Sequence, residues 1–285
     1  MILKHYDLPG VLDHMYSDDE WAVGWHGLKE KLTCVSPDLR RQWKDRDDRM
    51  HGQDYMTDVE FERDILLSIL QSIKRPVVNF IELGAGWGRM SIAVAGTIRN
   101  QIVKTVPRSF RVTAVEAELT HLKWLNEHML VNSIPVTAYY GAVSDCSGYG
   151  HFYSPAQPDL SYGQALLEMT PVARILQLRR KLSRVPLFTI DSIRAEEHID
   201  LVHMDVQGAE VKAILGARES IKGGKIDYFI VGVHSNRLGV ELRDLLSNYY
   251  ECLIDIDRDS ESRLPKLLPV IVDDGVQVWR RRGYD

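Results

Sequence analysis

The 285-residue chain holds three cysteines, Cys34, Cys146 and Cys252, far apart and with no Cys-x-x-Cys pair. That scarcity argues against a disulfide framework and a cysteine-built zinc site, and fits a reducing cytoplasm. No uninterrupted apolar run approaches the ~18 residues of a membrane span, and Met1-Ile2-Leu3-Lys4-His5-Tyr6-Asp7 lacks the apolar core of a signal peptide. A cytoplasmic protein without a membrane partner is the expectation. There is no block of five like charges, and a net charge of -5 with a pI near 6.1 gives no global basic field for nucleic acid. Arg179-Arg180-Lys181 and Arg280-Arg281-Arg282 read as solvated surface. Internal repeats and low-complexity tracts are also missing. What remains, 45% hydrophobic and 26% charged residues, is the composition of a globular chain able to bury a sizeable core.

The chain is organised around Val77-Val78-Asn79-Phe80-Ile81-Glu82-Leu83-Gly84-Ala85-Gly86-Trp87-Gly88-Arg89. An apolar, β-branched run ending in an acid and alternate glycines predicts a buried parallel strand that turns into a helix, beginning with Met90-Ser91-Ile92-Ala93. Such a turn is either a cofactor loop or an ordinary tight turn. A dinucleotide fingerprint is disfavoured, because the spacing is Gly84-x-Gly86-x-Gly88 and Arg89 takes the slot of the third small residue. Glu82 points the same way: an acid there repels a phosphate and attracts a cation. Glu82, Gly84, Ala85, Gly86 and Gly88 are therefore candidate cofactor residues.

Residues 1–56 are polar, aromatic-rich and weakly periodic, and read as an extension of short helices and loops. Its aromatics, Trp21, Trp25, Trp43 and Tyr55 among them, either pack the extension on the main domain or roof a pocket. The domain proper spans 57–285 and opens with a capping box, Thr57 to Glu60, and a helix to Lys74. A second strand, Phe110 to Glu116, also ends in an acid, placed to accept hydrogen bonds from ribose hydroxyls. A helix to about Asn132 and a strand Val136 to Tyr140 lead to a loop where Ala142 and Val143 either contact a base or form a plain turn. Residues 145–185 carry several glycines and prolines and are too long for a simple connection, so a lid is expected there. Two more apolar strands end at Asp205 and His234, and further helix and strand signals follow. The alternation predicts an α/β fold with a doubly wound, mostly parallel sheet.

The run Ile199-Asp200-Leu201-Val202-His203-Met204-Asp205-Val206-Gln207-Gly208-Ala209-Glu210, with the glycine motif, Glu116, Gly232-Val233-His234-Ser235 and Asp274 to Trp279, resembles the FkbM-type methyltransferases across about 77–280. His203, Met204 and Gln207 stand where Lys, Ile and Glu are usual in that family. The resemblance implies a Rossmann-like class I methyltransferase fold with a helical N-terminal extension. It also implies S-adenosylmethionine as cofactor, and O-methylation of a small molecule or sugar hydroxyl. Some members of the family use a divalent metal, so Asp205 and His234 are candidates either as ligands of Mg or Mn or as a general base pair relying on a neutral His234. A structural reading, with Asp205 capping its turn and His234 packed beneath the lid, stands beside these. A non-catalytic binding module and a dinucleotide-dependent oxidoreductase are the competing functions, and a homo-oligomer stays open.

Overall fold

The computed structural model describes residues 21–31, 34, 58–102, 109–154, 164–167, 182–193, 198–258, 260–262, 270–272 and 274–284. A hairpin of β1 (Trp21–Val23) and β2 (Lys29–Lys31) precedes α1 (Asp58–Ser72). Then β3 (Val77–Leu83), α2 (Arg89–Arg99), β4 (Ser109–Glu116), α3 (Leu119–Val131) and β5 (Val136–Tyr140) alternate. Four short strands follow, β6 (Ala142–Val143), β7 (Gly148–Tyr153), β8 (Ala165–Leu167) and β9 (Leu182–Phe188). Alternation resumes with α4 (Ile190–Ile193), β10 (Ile199–Met204), α5 (Glu210–Leu215), α6 (Arg218–Lys222), β11 (Ile226–Val233), α7 (Asn236–Leu246) and β12 (Tyr250–Ile256). A small pair, β13 (Ser260–Ser262) and β14 (Val270–Val272), leads to β15 (Gly275–Arg281).

Seven strands form the main sheet in the order β12-β15-β11-β10-β3-β4-β5. All pairings are parallel except those of β15, which runs antiparallel to both its neighbours. Side chains alternate across the sheet, so each central strand feeds two cores. Phe80 and Leu201 pack under α1, α2 and α3, while Ile81, Val202 and Met204 pack under α4 to α7. The chain steps outward from β3 to β5, then returns to lay β10 on the other side of β3. That reversal opens a crevice at the carboxyl ends of β3 and β10, the place where open α/β sheets bind ligands.

Two segments depart from expectation. Within the extension, residues 21–31 form an antiparallel hairpin in place of short helices and loops. The cause is tertiary: the Lys29 amide donates to Asn132 Oδ1 (2.8 Å), and the Lys31 amide to His128 Nε2 (2.8 Å), which anchors two otherwise marginal strands on α3. Trp25 packs against the core there, whereas Trp43, Tyr55 and Thr57 lie outside the described residues. The 145–185 segment contains a real sheet, in which β9 pairs with β7 and β6, and β8 with β7. Its glycines read as loop, but a Cβ on Gly150 would meet Leu187 Cδ2 at 2.9 Å, so Gly150 is there to let β7 lie against β9. Residues 168–181 of this segment fall outside the described residues, and Leu182 opens β9.

Candidate functional site

The glycines of the β3–α2 turn have different tasks. Gly84 sits at φ +68°, and a Cβ on it would meet the Asp205 carbonyl oxygen at 1.9 Å, so only glycine lets β3 and β10 close at their ends. Gly86 lines the crevice, and its amide donates to Glu116 Oε2 (2.7 Å). Gly88 has φ +86° and starts α2, pressed so closely on α3 that a Cβ would meet Met129 Cε at 2.8 Å. Between them, Trp87 lies against His128 (ring centroids 5.2 Å apart), the same histidine that receives the Lys31 amide. The N-terminal hairpin thus braces the glycine turn.

The two strand-end acids divide the work. Glu82 is buried and turned to the start of α2, accepting from the Met90 amide (3.0 Å) and from the amide (2.9 Å) and hydroxyl of Ser91. It satisfies amides that a helix start otherwise leaves free. Burial pushes its pKa up to about 7 against those hydrogen bonds. Glu116 is held the same way, by the amides of Gly86 and Glu118 (both 2.7 Å), but its side chain borders the crevice. Burial raises it to about 7 as well, opposed by the same backbone donors.

The crevice encloses about 590 Å³ counted out to its open mouth. Gly84, Gly86, Glu116, Ala142, Val143 and Asp205 all line it. Glu82, Ala85, Gly88 and His234 do not: the first three build the turn behind it, and His234 lies beneath Asp205. The sequence reading missed His121 on α3 and the wall supplied by Phe152, Gln164 and Leu166 from the 145–185 segment. No motif marks those four; only the expectation that the long segment covers a pocket pointed toward them.

At the crevice wall Asp205 Oδ1 lies 3.1 Å from His234 Nε2, and His234 Nδ1 lies 2.5 Å from Glu210 Oε1. Burial alone would lower the His234 pKa, but Asp205 and Glu210 outweigh it and push it up to about 10. Asp205 and Glu210 thus favour the protonated ring of His234, where a neutral base was the expectation. Burial pulls Asp205 upward, but the hydrogen bond and charge of His234 outweigh that and hold it below the usual carboxylate range.

More than half of the chain, residues 97–252, matches the model of the Methyltransferase FkbM domain family. The chain belongs to this family. A protein of Jannaschia sp. (strain CCS1), named as a provisional methyltransferase, is 23% identical over 222 residues, covering 75% of this chain and 76% of that one. Among solved structures, the precorrin-6y C5,15-methyltransferase of Geobacter metallireducens GS-15 is 10% identical with a TM-score of 0.43, over 78% of this chain and 88% of that one. The METTL16 methyltransferase domain is likewise 10% identical at a TM-score of 0.43, over 92% and 86%.

Methyl transfer with S-adenosylmethionine is thus the activity of this FkbM-type chain, and its sheet is the class I methyltransferase sheet, with antiparallel β15 between β11 and β12. The crevice fits that cofactor. Gly84 and Gly86 would leave room at the turn, Glu116 would offer carboxylate lone pairs to hydroxyls, and Ala142, Val143 and Phe152 would give apolar surface to a flat base. A divalent ion fits less well. Among the described residues, Asp205 and His234 do not fall within a group of three converging metal-type donors. Among the described residues, three metal-type donors converge at His198, Asp200 and Asp227, a group already neutralised by Arg75 and Arg281.

Proposed function

We propose that this chain methylates a hydroxyl oxygen of a small molecule or carbohydrate, without a metal, at the Asp205 end of the crevice. The observation that carries the reading is the half-exposed Asp205 carboxylate in the crevice wall, backed by the buried His234 ring 3.1 Å away. An ionised carboxylate accepts hydrogen bonds only, so it selects a donor such as a hydroxyl and can take its proton. S-adenosylmethionine supplies a methyl group already activated on a sulfonium. What the protein adds is alignment and a place for one proton. Two acids line the crevice, Glu116 on one wall and Asp205 on the other, and carboxylates there suit a cationic cofactor.

The oxidoreductase reading loses support at α2. Its first amides, which would bind a pyrophosphate, are occupied by Glu82, and a phosphate there would face that acid. No described helix is long and apolar enough to cross a membrane, and we retain the cytoplasm as the proposed location. Calorimetry with S-adenosylmethionine, S-adenosylhomocysteine and NAD tests the cofactor, and a mass-spectrometric screen of glycans and small alcohols for a one-methyl gain tests the acceptor. Asp205→Asn should keep cofactor binding and lose roughly 100-fold or more in turnover. Methylation confined to nitrogen or carbon acceptors, or full turnover by Asp205→Asn, would overturn the reading.

A further inference from the structure

Glu210 opens α5 and has no exposed surface. A buried carboxylate needs partners, and two of its own are close: the Gly208 amide donates to Oε1 (3.0 Å), and His234 Nδ1 lies 2.5 Å from the same oxygen. Its other oxygen, Oε2, is buried without a hydrogen-bond partner. His234 is nearly as enclosed, with its side chain 10% exposed, and Nε2 lies 3.1 Å from Asp205 Oδ1 without a well-aligned hydrogen bond. Asp205 is 53% exposed and borders the crevice. Glu210, His234 and Asp205 therefore run in line from the interior to the open site, and a carboxylate at one ring nitrogen decides where the other points.

We propose that Glu210 is a positioning residue for methyl transfer, orienting the Asp205 carboxylate toward the acceptor hydroxyl through His234. This rests on the hydroxyl-acceptor reading. The proton leaves the acceptor oxygen for Asp205 and then passes to water from its exposed side, while His234 keeps both of its protons throughout. Four charged groups face the ring. Glu210 comes from α5, Asp205 from the turn before it, and Asp274, 3.8 Å from Nε2, from the residue before β15. Arg258, after β12, donates to the His234 carbonyl oxygen (3.0 Å) and lies 3.7 Å from Asp274. Asp205 and Glu210 favour the protonated ring, and Glu210 is the most deeply buried of the three carboxylates. Gln207 Nε2 also donates to Asp205 Oδ1 (3.3 Å), which helps hold that carboxylate in place.

Glu210→Gln keeps the size and an acceptor oxygen but removes the charge. Nitrogen-15 NMR of the whole cofactor-free chain should show His234 doubly protonated across about pH 6 to 9 in the wild type and titrating within that window in Glu210→Gln. Calorimetry should show S-adenosylhomocysteine bound equally by both. Turnover of an accepted alcohol should fall by about 10- to 100-fold in Glu210→Gln with the acceptor KM little changed, and Glu210→Asp should recover part of the loss. Should Glu210→Gln fail to fold, the wild-type spectrum and His234→Gln decide. A singly protonated His234 in the wild type, or full turnover by His234→Gln, overturns the proposal, as does wild-type turnover and pH profile in a folded Glu210→Gln. Absence of any hydroxyl acceptor would sink the functional reading, and the same spectra would still show whether Glu210 sets the state of His234.

Discussion

β10 and β11 each carry charged groups at both ends, and the two ends are built to opposite ends of a scale. At the amino ends, Asp200 and Asp227 are fully buried, yet every carboxylate oxygen has a partner. Asp200 receives Arg75 (2.7 Å) and the Asn79 amide (2.8 Å), and Asp227 receives Arg75 (2.6 Å), His198 (2.6 Å) and Arg281 (3.0 Å). At the carboxyl ends, His234 faces Asp205, Glu210 and Asp274, with Glu210 Oε2 and His234 Nε2 left without a well-aligned hydrogen bond. Acid and histidine on the same two strands thus make a closed structural knot at one edge and an open, charge-unbalanced site at the other. Satisfaction of the buried polar atoms tells the two apart, where residue type does not.

The largest effect should come from breaking the knot. Asp227→Ala leaves Arg75, Arg281 and His198 without their shared carboxylate, and because these partners are partly exposed the cost should be about 2–3 kcal/mol, below the about 3–5 kcal/mol of a fully buried pair. Urea unfolding should show that loss, while S-adenosylhomocysteine affinity of the folded fraction stays near the wild type. A loss below about 1 kcal/mol would mean that the knot is no more than a surface ion pair.

How much of this contrast could be read from the sequence depends on what carries it. Apolar runs and their periods sufficed for β3, β4, β10, β11 and the helices between them, because those elements are decided by which side chains face the core. The hairpin at 21–31 was hidden, since its stability comes from Asn132 and His128, about a hundred residues away. The wall formed by Phe152, Gln164 and Leu166 was hidden for the same reason, and Gly148 and Gly150 made its strand look like loop. Glu116 and Asp205 were legible as acids at strand ends in a motif. Glu82 carries the same signal, but the structure spends its carboxylate on capping α2. His234 was legible by position but its surroundings were not, because Asp205 and Glu210, which favour its protonated form, meet the ring only in three dimensions.

A middle-sized effect should come from the site's other wall. Glu116 already accepts from Gly86 and Glu118, so Glu116→Ala both frees those amides and removes the acceptor proposed for the ribose hydroxyls. Cofactor binding should weaken by roughly 1.5–3 kcal/mol, the range for hydrogen bonds to a charged group. Calorimetry on a variant with a native unfolding curve checks it, and an unchanged dissociation constant removes Glu116 from the site. Asp227→Ala and Glu116→Ala should then show opposite profiles, one losing stability and the other affinity.

The smallest effect is a difference of slope with pH, and it has opposite signs at the two edges. Burial raises Asp227, but hydrogen bonds from His198 and Arg75 outweigh it, so its folded pKa lies below the ordinary 3.8. Its contribution is present above that value and is lost as the pH falls through the folded pKa. At the site edge, His234 is raised from 6.5 to about 10, so its contribution is full below about pH 6.5 and drains away as the pH rises through 10. Glu82 and Glu116, raised by burial from 4.5 to about 7, act in the same direction, because each resists ionisation in the fold and weakens it between those values. Each group adds at most about 1.4 kcal/mol per pH unit. Urea midpoints should therefore fall on the acid side because of the knot and on the alkaline side because of the site. Asp227→Asn should flatten the acid limb alone, and His234→Gln the limb between about pH 7 and 10. Cofactor affinity should run against stability, rising through about pH 7 as Glu116 ionises to receive the ribose, and Glu116→Gln should abolish that rise. An affinity that stays level across that range in the wild type would show that the Glu116 carboxylate is already ionised by its backbone donors before any ligand arrives.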